Sequence, residues 1–375
     1  MLRSFSVEGY RSFPGFTRLE LGRLTLLCGV NSVGKSSIID LLAAVAQSRQ
    51  EGSGTSLRVR GSWVDLGPSE QLPAARRPDR RRAFGVGWST EGGTDVFAEF
   101  EYGEDPAGLT RSLMDVDDPR VGPSAPDGRY PFSVLDGDRR EVDLFGLELS
   151  YLGPYRAAPE VLYAPRPSLL GPPLGRDGRA TAEALHLSRS HPCDMGERSE
   201  PLIAFVNRWW SHILGTPLAA RSSQLRGAGF SLEVDTGGAE GLGLGQVGLG
   251  LSQTLPVIVL AGLSRVGQIV AVQTPEAHLH PAAQHRLAAL FVALARAGRQ
   301  VVLETHSEHL VNALRIAVKR RELPASELAI HYFEQDVDGQ TAVSPIQVSA
   351  DGRIDRWPAG FFDQAALEFA VLAGS

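Results

Sequence analysis

Apolar and polar positions alternate in different rhythms along the 375 residues, and each rhythm predicts a different kind of structure. Near the N-terminus LRSFSVEG and FTRLELG alternate and predict a hairpin. The apolar run RLTLLCG then predicts a buried strand, and KSSIIDLLAAVAQ has helical spacing behind a glycine-bearing loop. Between residues 51 and 165 the rhythm shortens to runs such as AFGVGWS, DVFAEFEY and LFGLELSYLG, broken by Gly, Pro and Asp, which predicts an antiparallel β-rich arm. Residues 166–245 mix Pro- and Gly-rich loops with the helical pieces TAEALHL and PLIAFVNRWWSHIL, ending in GGAEGLGLGQVGLGLSQ. From 246 to 335 apolar strands (QIVAVQT, RQVVLET) alternate with helices (AAQHRLAALFVALARA, EHLVNALRIAVKRR), the pattern of a mostly parallel, helix-covered sheet. Residues 336–375 form a tail that begins within a hairpin turning at Asp338 and Gly339. The fold class this predicts is α/β.

Composition narrows the picture. A 43% hydrophobic content is ordinary for a globular protein, and a net charge of -6 argues against a surface devoted to nucleic acid. Two cysteines, Cys28 and Cys193, provide neither a disulfide framework nor a CxxC pair; with no signal-peptide core and no membrane-length apolar run, a cytoplasmic protein is expected. Of 37 basic residues only Lys35 and Lys319 are lysines, so each lysine carries weight.

Lys35 falls inside GVNSVGKSS, residues 29–37, which fits G-x-x-x-x-G-K-[ST] after a predicted strand and at the start of a predicted helix. In such a loop the backbone N–H groups of Gly29, Asn31, Ser32, Val33, Gly34 and the helix N-terminus converge on phosphate oxygens. Lys35 adds a point charge at the β- and γ-phosphates, Ser36 offers a hydroxyl to Mg2+, and Ser37 lies beside it. ATP and Mg2+ are the cofactors expected.

The run VEGYRSFPGFTRLELGRLTLLCGVNSVGKSSIIDLL resembles the first half of an ABC-type ATPase head of the SMC, RecF and OLD lineage. The fold implied is a P-loop NTPase of that head type, with residues 1–50 and 246–335 as its two halves, a β-rich arm at 51–165 and a helical insertion at 166–245. The resemblance makes Arg11 the hairpin residue that reaches the nucleotide. VGLGLSQTLPVIVLAG resembles the signature segment, so Gly248, Gly250 and Ser252 are expected to meet the γ-phosphate held by another subunit. IVAVQTPEAHLHP followed by VVLETHSEHL resembles the Walker B, D-loop and switch-histidine series of OLD-like ATPases, which makes His306 the switch histidine.

Where such strands carry Asp and Glu, this one carries Gln273 and Thr274. Gln273 is then the expected neighbour of the metal, and Glu276 and His306 the candidate bases, since a threonine hydroxyl is not a base near neutral pH. Slow or partner-dependent hydrolysis follows. Restoring both acids, Gln273→Asp with Thr274→Glu, is expected to raise the rate.

Further segments, including GSWVDLG and DGRIDRWPAGFFDQ, look like a subgroup of stand-alone bacterial ATPases without a TOPRIM nuclease. That implies a homodimer or higher oligomer closing around ATP and a separate effector protein, in phage defence or DNA maintenance. The alternative is a nucleotide-gated dimerisation module with little turnover. Arg76 to Arg82, RRPDRRR, reads either as a solvated loop or as a contact to nucleic-acid phosphates. His278, His280 and His285 lack the cysteine or carboxylate complement of a zinc site.

Overall fold

A computed structural model describes the chain except for residues 51–55, 75–82, 103–107, 122–132, 147, 167–172, 197, 356–357, 359–367, 370 and 373–375. The arginine run 76–82 therefore lies outside the described residues. Among those described, no helix is long and apolar enough to cross a membrane.

The chain opens with β1 (Leu2–Glu8) and β2 (Thr17–Glu20), the expected hairpin, then β3 (Leu24–Gly29), the phosphate loop and α1 (Lys35–Gln50). Next come β4 (Ser56–Arg58), β5 (Ala83–Thr90), β6 (Asp95–Tyr102) and β7 (Gly108–Asp117), followed by a small hairpin of β8 (Ser133–Leu135) and β9 (Glu141–Asp143). β10 (Leu149–Leu152) and α2 (Thr181–Leu187) precede a second small hairpin, β11 (Pro192–Asp194) with β12 (Ser199–Pro201). α3 (Leu202–Leu214) leads to the meander β13 (Leu218–Leu225), β14 (Gly229–Thr236) and β15 (Ala239–Gly243). α4 (Leu249–Leu263), β16 (Ile269–Gln273), α5 (Pro281–Arg296), β17 (Gln300–Glu304), α6 (Glu308–Lys319), β18 (Leu328–Gln335) and β19 (Thr341–Ile346) complete it.

One sheet runs β2-β1-β5-β6-β7-β4 and is antiparallel; the other runs β10-β16-β17-β3-β18-β19, parallel except for β19. The expected antiparallel β-rich segment is tied into the rest of the fold: β5 hydrogen-bonds to β1, and β10 joins the parallel sheet at its edge. The terminal hairpin β18–β19 also belongs to the parallel sheet, so a boundary at 335/336 cuts through it.

Strand parity sorts the core into two faces. Ile269 and Ala271 of β16, Val302 of β17 and Leu27 of β3 pack with α1 and the antiparallel sheet. Val270, Val272, Val301, Leu303, Leu26 and Cys28 pack on the opposite face with α2 to α6. Successive strand residues point to opposite faces, so odd positions of β16 and even positions of β17 look toward α1. Gln273 and Glu304, the last residues of those strands, inherit that direction.

The HLHP and THS stretches also have plain structural work. His280 caps α5, its Nδ1 accepting from Ala282 N–H at 3.3 Å, with Pro281 at the first helical position, and Ser307 caps α6 by accepting from Leu310 N–H at 3.0 Å.

Candidate functional site

The loop between β3 and α1 is held in a shape that only small residues permit. Gly29 has φ +135°, and a Cβ there would lie 2.0 Å from the carbonyl oxygen of Phe333 on the neighbouring β18. Gly34 has φ +92°, and a Cβ there would meet the Phe13 ring and Ser12 Oγ at 2.8 Å. Lys35 is buried, and its Nζ donates to the carbonyls of Gly29 (3.0 Å) and Val30. Burial lowers its pKa, while the nearby Glu304 works in the opposite direction. An open cleft of about 590 Å³ lies over this loop, lined by residues 31–37 with Arg11, Ser12, Glu304 and His306.

The carboxylate in this cleft comes from a strand other than the one expected. Glu304, at the end of β17, accepts from Ser36 Oγ at 2.6 Å through Oε1 and from Gln273 Nε2 at 3.0 Å through Oε2. Gln273 and Glu304 are register partners on adjacent parallel strands, and β17 lies between β16 and β3. Sequence reasoning missed Glu304, although its signal was present: VVLE is an apolar strand ending in an acid, the same form as the strand sought. Gln273, expected beside the metal, is fully buried and does not line the cleft; its amide serves the carboxylate.

Two more residues complete the cluster. Asp40 stands one turn after Ser36 on α1, on the same face of the helix. Tyr151, on β10, donates its hydroxyl to Gln273 Oε1 at 2.9 Å, with Asp40 Oδ1 3.4 Å away. Burial raises the Asp40 pKa to about 6; the Arg11 charge opposes this, Glu304 adds to it, and hydrogen bonds from Gln273 and Tyr151 also oppose it.

A raised carboxyl pKa means that the folded chain holds this proton more tightly than the unfolded chain. Ionising Asp40 therefore lowers stability as pH rises from about 4 to 6, by on the order of 2 to 3 kcal/mol above that window. Asp40→Asn is expected to melt a few degrees above the parent protein at pH 8, with the advantage shrinking toward pH 5. Thermal melts at the two pH values check this, and a variant that melts lower at pH 8 rules it out.

The other expected site residues divide. His306 lines the cleft, and burial with the Lys35 charge lowers its pKa, so it is a neutral imidazole at neutral pH. Glu276, expected as a base near the phosphate, is buried and instead accepts the backbone N–H of His306 at 2.8 Å. Its Oε2 has no hydrogen-bond partner among the described residues, and burial raises its pKa. Arg11, at φ +48°, lines the cleft while donating to Ser37 Oγ (3.3 Å) and the Leu66 carbonyl (2.8 Å). Arg156, which the sequence did not single out, donates to the Gln273 carbonyl at 2.8 Å and holds the end of β16. Arg166 pairs with Glu183 at 2.9 Å.

This chain is similar in structure to the Smc head domain with an extended coiled coil derived from Pyrococcus furiosus, crystallised with the C-terminal domain of ScpA. Identity is 10%, the TM-score is 0.51, and the match covers 100% of this chain and 99% of that one. The fold is that of an SMC head domain. Two other head structures match: the SMC head domain from Thermotoga maritima (14% identity, TM-score 0.45, 92% of this chain and 99% of that one) and an SmcHead bound to the C-winged helix domain of ScpA (11%, 0.48, 93% and 98%). A family model described as "AAA domain, putative AbiEii toxin, Type IV TA system" matches residues 162–312, and one described as "Protein of unknown function (DUF3696)" matches 323–372. No curated protein matches the chain.

The segment expected to act as the signature is only partly turned outward. Gly248 is exposed and precedes α4. Gly250 packs inward, since a Cβ there would lie 2.8 Å from the His278 carbonyl oxygen, and Ser252 is buried with its hydroxyl donated to the Leu249 carbonyl at 2.9 Å. The exposed residues of the segment are thus Gly248 and Leu249, next to exposed Gly245 and Gln246 just before it.

Proposed function

We propose that this head binds ATP with Mg2+, closes as a homodimer or higher oligomer around the nucleotide, and hydrolyses it slowly or under the control of a separate effector protein. The observation that carries the reading is the Ser36–Glu304 contact of 2.6 Å at the mouth of the phosphate loop. A serine hydroxyl and a carboxylate oxygen are hard donors that suit Mg2+, which takes one or two protein carboxylates beside substrate phosphates. Ser36 and Glu304 would hold the ion, and the ion would offset phosphate charge.

The chain's own residues supply the rest. Lys35 exchanges the Gly29 and Val30 carbonyls for phosphate oxygens, and the backbone of residues 31–37 donates to them. Neutral His306, held through its backbone by Glu276, can orient the attacking water and accept a proton at a ring nitrogen. Val30 on the loop and Leu249 on the signature segment expose apolar side chains, which suits faces that close on another subunit. The match over 162–312 to a family described by a putative toxin supports a role beside an effector in bacterial defence.

Phosphate release and solution mass, measured with and without Mg-ATP, test this reading. We expect slow release, a mass increase with nucleotide, and about tenfold weaker nucleotide binding in Lys35→Ala. An oligomeric state indifferent to nucleotide discards the gated dimer. Gated dimerisation without release selects the hydrolysis-poor module.

A further inference from the structure

The C-terminal hairpin β18–β19 meets the phosphate loop and its flank at three places. The Phe333 carbonyl occupies the space where a Gly29 side chain would stand, and the Phe333 ring meets the Phe13 ring edge-on, with centroids 6.4 Å apart. Phe13 and Ser12 in turn fill the space beside Gly34. Thr341, the first residue of β19, makes the third contact. Its N–H donates to the Ser12 carbonyl at 2.9 Å, and its Oγ1 lies 2.9 Å from the Val33 carbonyl oxygen and 2.6 Å from Ser12 Oγ.

A carbonyl oxygen can only accept, so the bond to Val33 takes the hydrogen of the Thr341 hydroxyl, whose lone pairs remain for Ser12. The consequence lies across the next peptide bond. In a planar trans peptide the C=O and N–H point in opposite directions, so holding the Val33 carbonyl on Thr341 also holds the Gly34 N–H, turned away from Thr341. Gly34 lines the cleft, and at φ +92° it has the wide backbone freedom of a glycine. An anchor outside the loop therefore selects one orientation of this amide.

We propose that Thr341 is a positioning residue for the nucleotide: its hydroxyl, acting through the Val33 carbonyl, aims the Gly34 N–H at a phosphate oxygen. The inference rests on the reading of residues 29–37 as a loop that binds the phosphates of ATP. It gives the C-terminal hairpin a part in binding that chain order hides, since Thr341 and Val33 stand 308 positions apart. Thr341→Val keeps the shape of the side chain and removes the hydroxyl. The Val33 carbonyl then loses this donor, and the peptide that presents the Gly34 N–H is free to rotate.

Affinity for a fluorescent, non-hydrolysable ATP analogue with Mg2+, read by titration, tests the proposal independently of turnover. Thr341→Val is expected to bind about threefold to tenfold more weakly, and Thr341→Ser, which keeps the hydroxyl, within about twofold of the parent. Ile346→Ala empties a buried position at the far end of β19, so it should melt lower while binding within about twofold of the parent. Equal weakening in Ile346→Ala would mean that the stability of the hairpin sets the affinity, and it overturns the proposal. Parent-like binding in Thr341→Val, or binding in Thr341→Ser as weak as in the valine variant, overturns it too when Lys35→Ala binds the analogue weakly. Parent-like binding in Lys35→Ala as well removes the nucleotide reading along with it.

Discussion

Replacing Glu304 by alanine is expected to lower Mg2+-dependent ATP turnover by about 100-fold or more, the scale of losing one preorganised charged group from a phosphoryl-transfer site. Glu304 is the carboxylate that lines the cleft, and the Ser36 hydroxyl is hydrogen-bonded to it. Truncation also leaves a buried Gln273 N–H without its acceptor, so the amide is freed at the moment the acid is lost. Glu304→Gln keeps the shape but lacks the charge and should be nearly as slow. Steady-state phosphate release at saturating Mg-ATP is the measurement. Retention of more than half the parent rate by the alanine variant would mean that the acid has no part in hydrolysis.

Introducing the acids that such strands usually carry, Gln273→Asp with Thr274→Glu, is expected to slow turnover by about tenfold to 100-fold and to destabilise the head. The pattern of the strand alone predicts the opposite. In the folded protein an aspartate at 273 stands beside Glu304, in place of an amide that donates to that acid at 3.0 Å. Two charges about 4 Å apart at an effective dielectric constant near 20 repel by about 4 kcal/mol, so one acid takes up a proton or the cluster opens. Position 274 adds backbone strain. Thr274 has φ +44° while its N–H donates to the Glu304 carbonyl at 2.8 Å, and a longer side chain at that φ does not relieve it. Phosphate release and a denaturant melt of the double variant decide the matter; a faster enzyme of unchanged stability refutes the repulsion.

What could be read along the chain and what could not divide on sequence separation. The phosphate loop is contiguous and its glycines, lysine and serines follow a fixed spacing, so the loop from Gly29 to Ser37 was expected before any fold was known. The alternation of apolar strands and helices after residue 246 likewise announces a helix-covered parallel sheet. Glu276 and Gly250 show the limit. Both sit in motifs that suggest contact with phosphate, yet one holds the His306 backbone and the other packs on the His278 carbonyl. A motif fixes where a residue stands in the chain and not which way it faces once neighbours pack.

The sequence by itself determined that this protein has a phosphate loop opening a helix, and that the strand ending in Gln273 lacks its acids. Only the tertiary structure decided where the acid is. Strand order is a property of packing, and β17 inserts between β16 and β3, which puts Glu304 next to Ser36 and makes Gln273 its lateral neighbour. Side-chain parity then turns both toward α1, where Asp40 waits one turn below Ser36, and β10 brings Tyr151 from more than 100 positions away in sequence. Hydrogen bonds reach about 3 Å in space whatever the separation along the chain, so a neutral glutamine that looks like a missing acid in one strand becomes the donor to an acid on the neighbouring strand and the acceptor for a tyrosine on another.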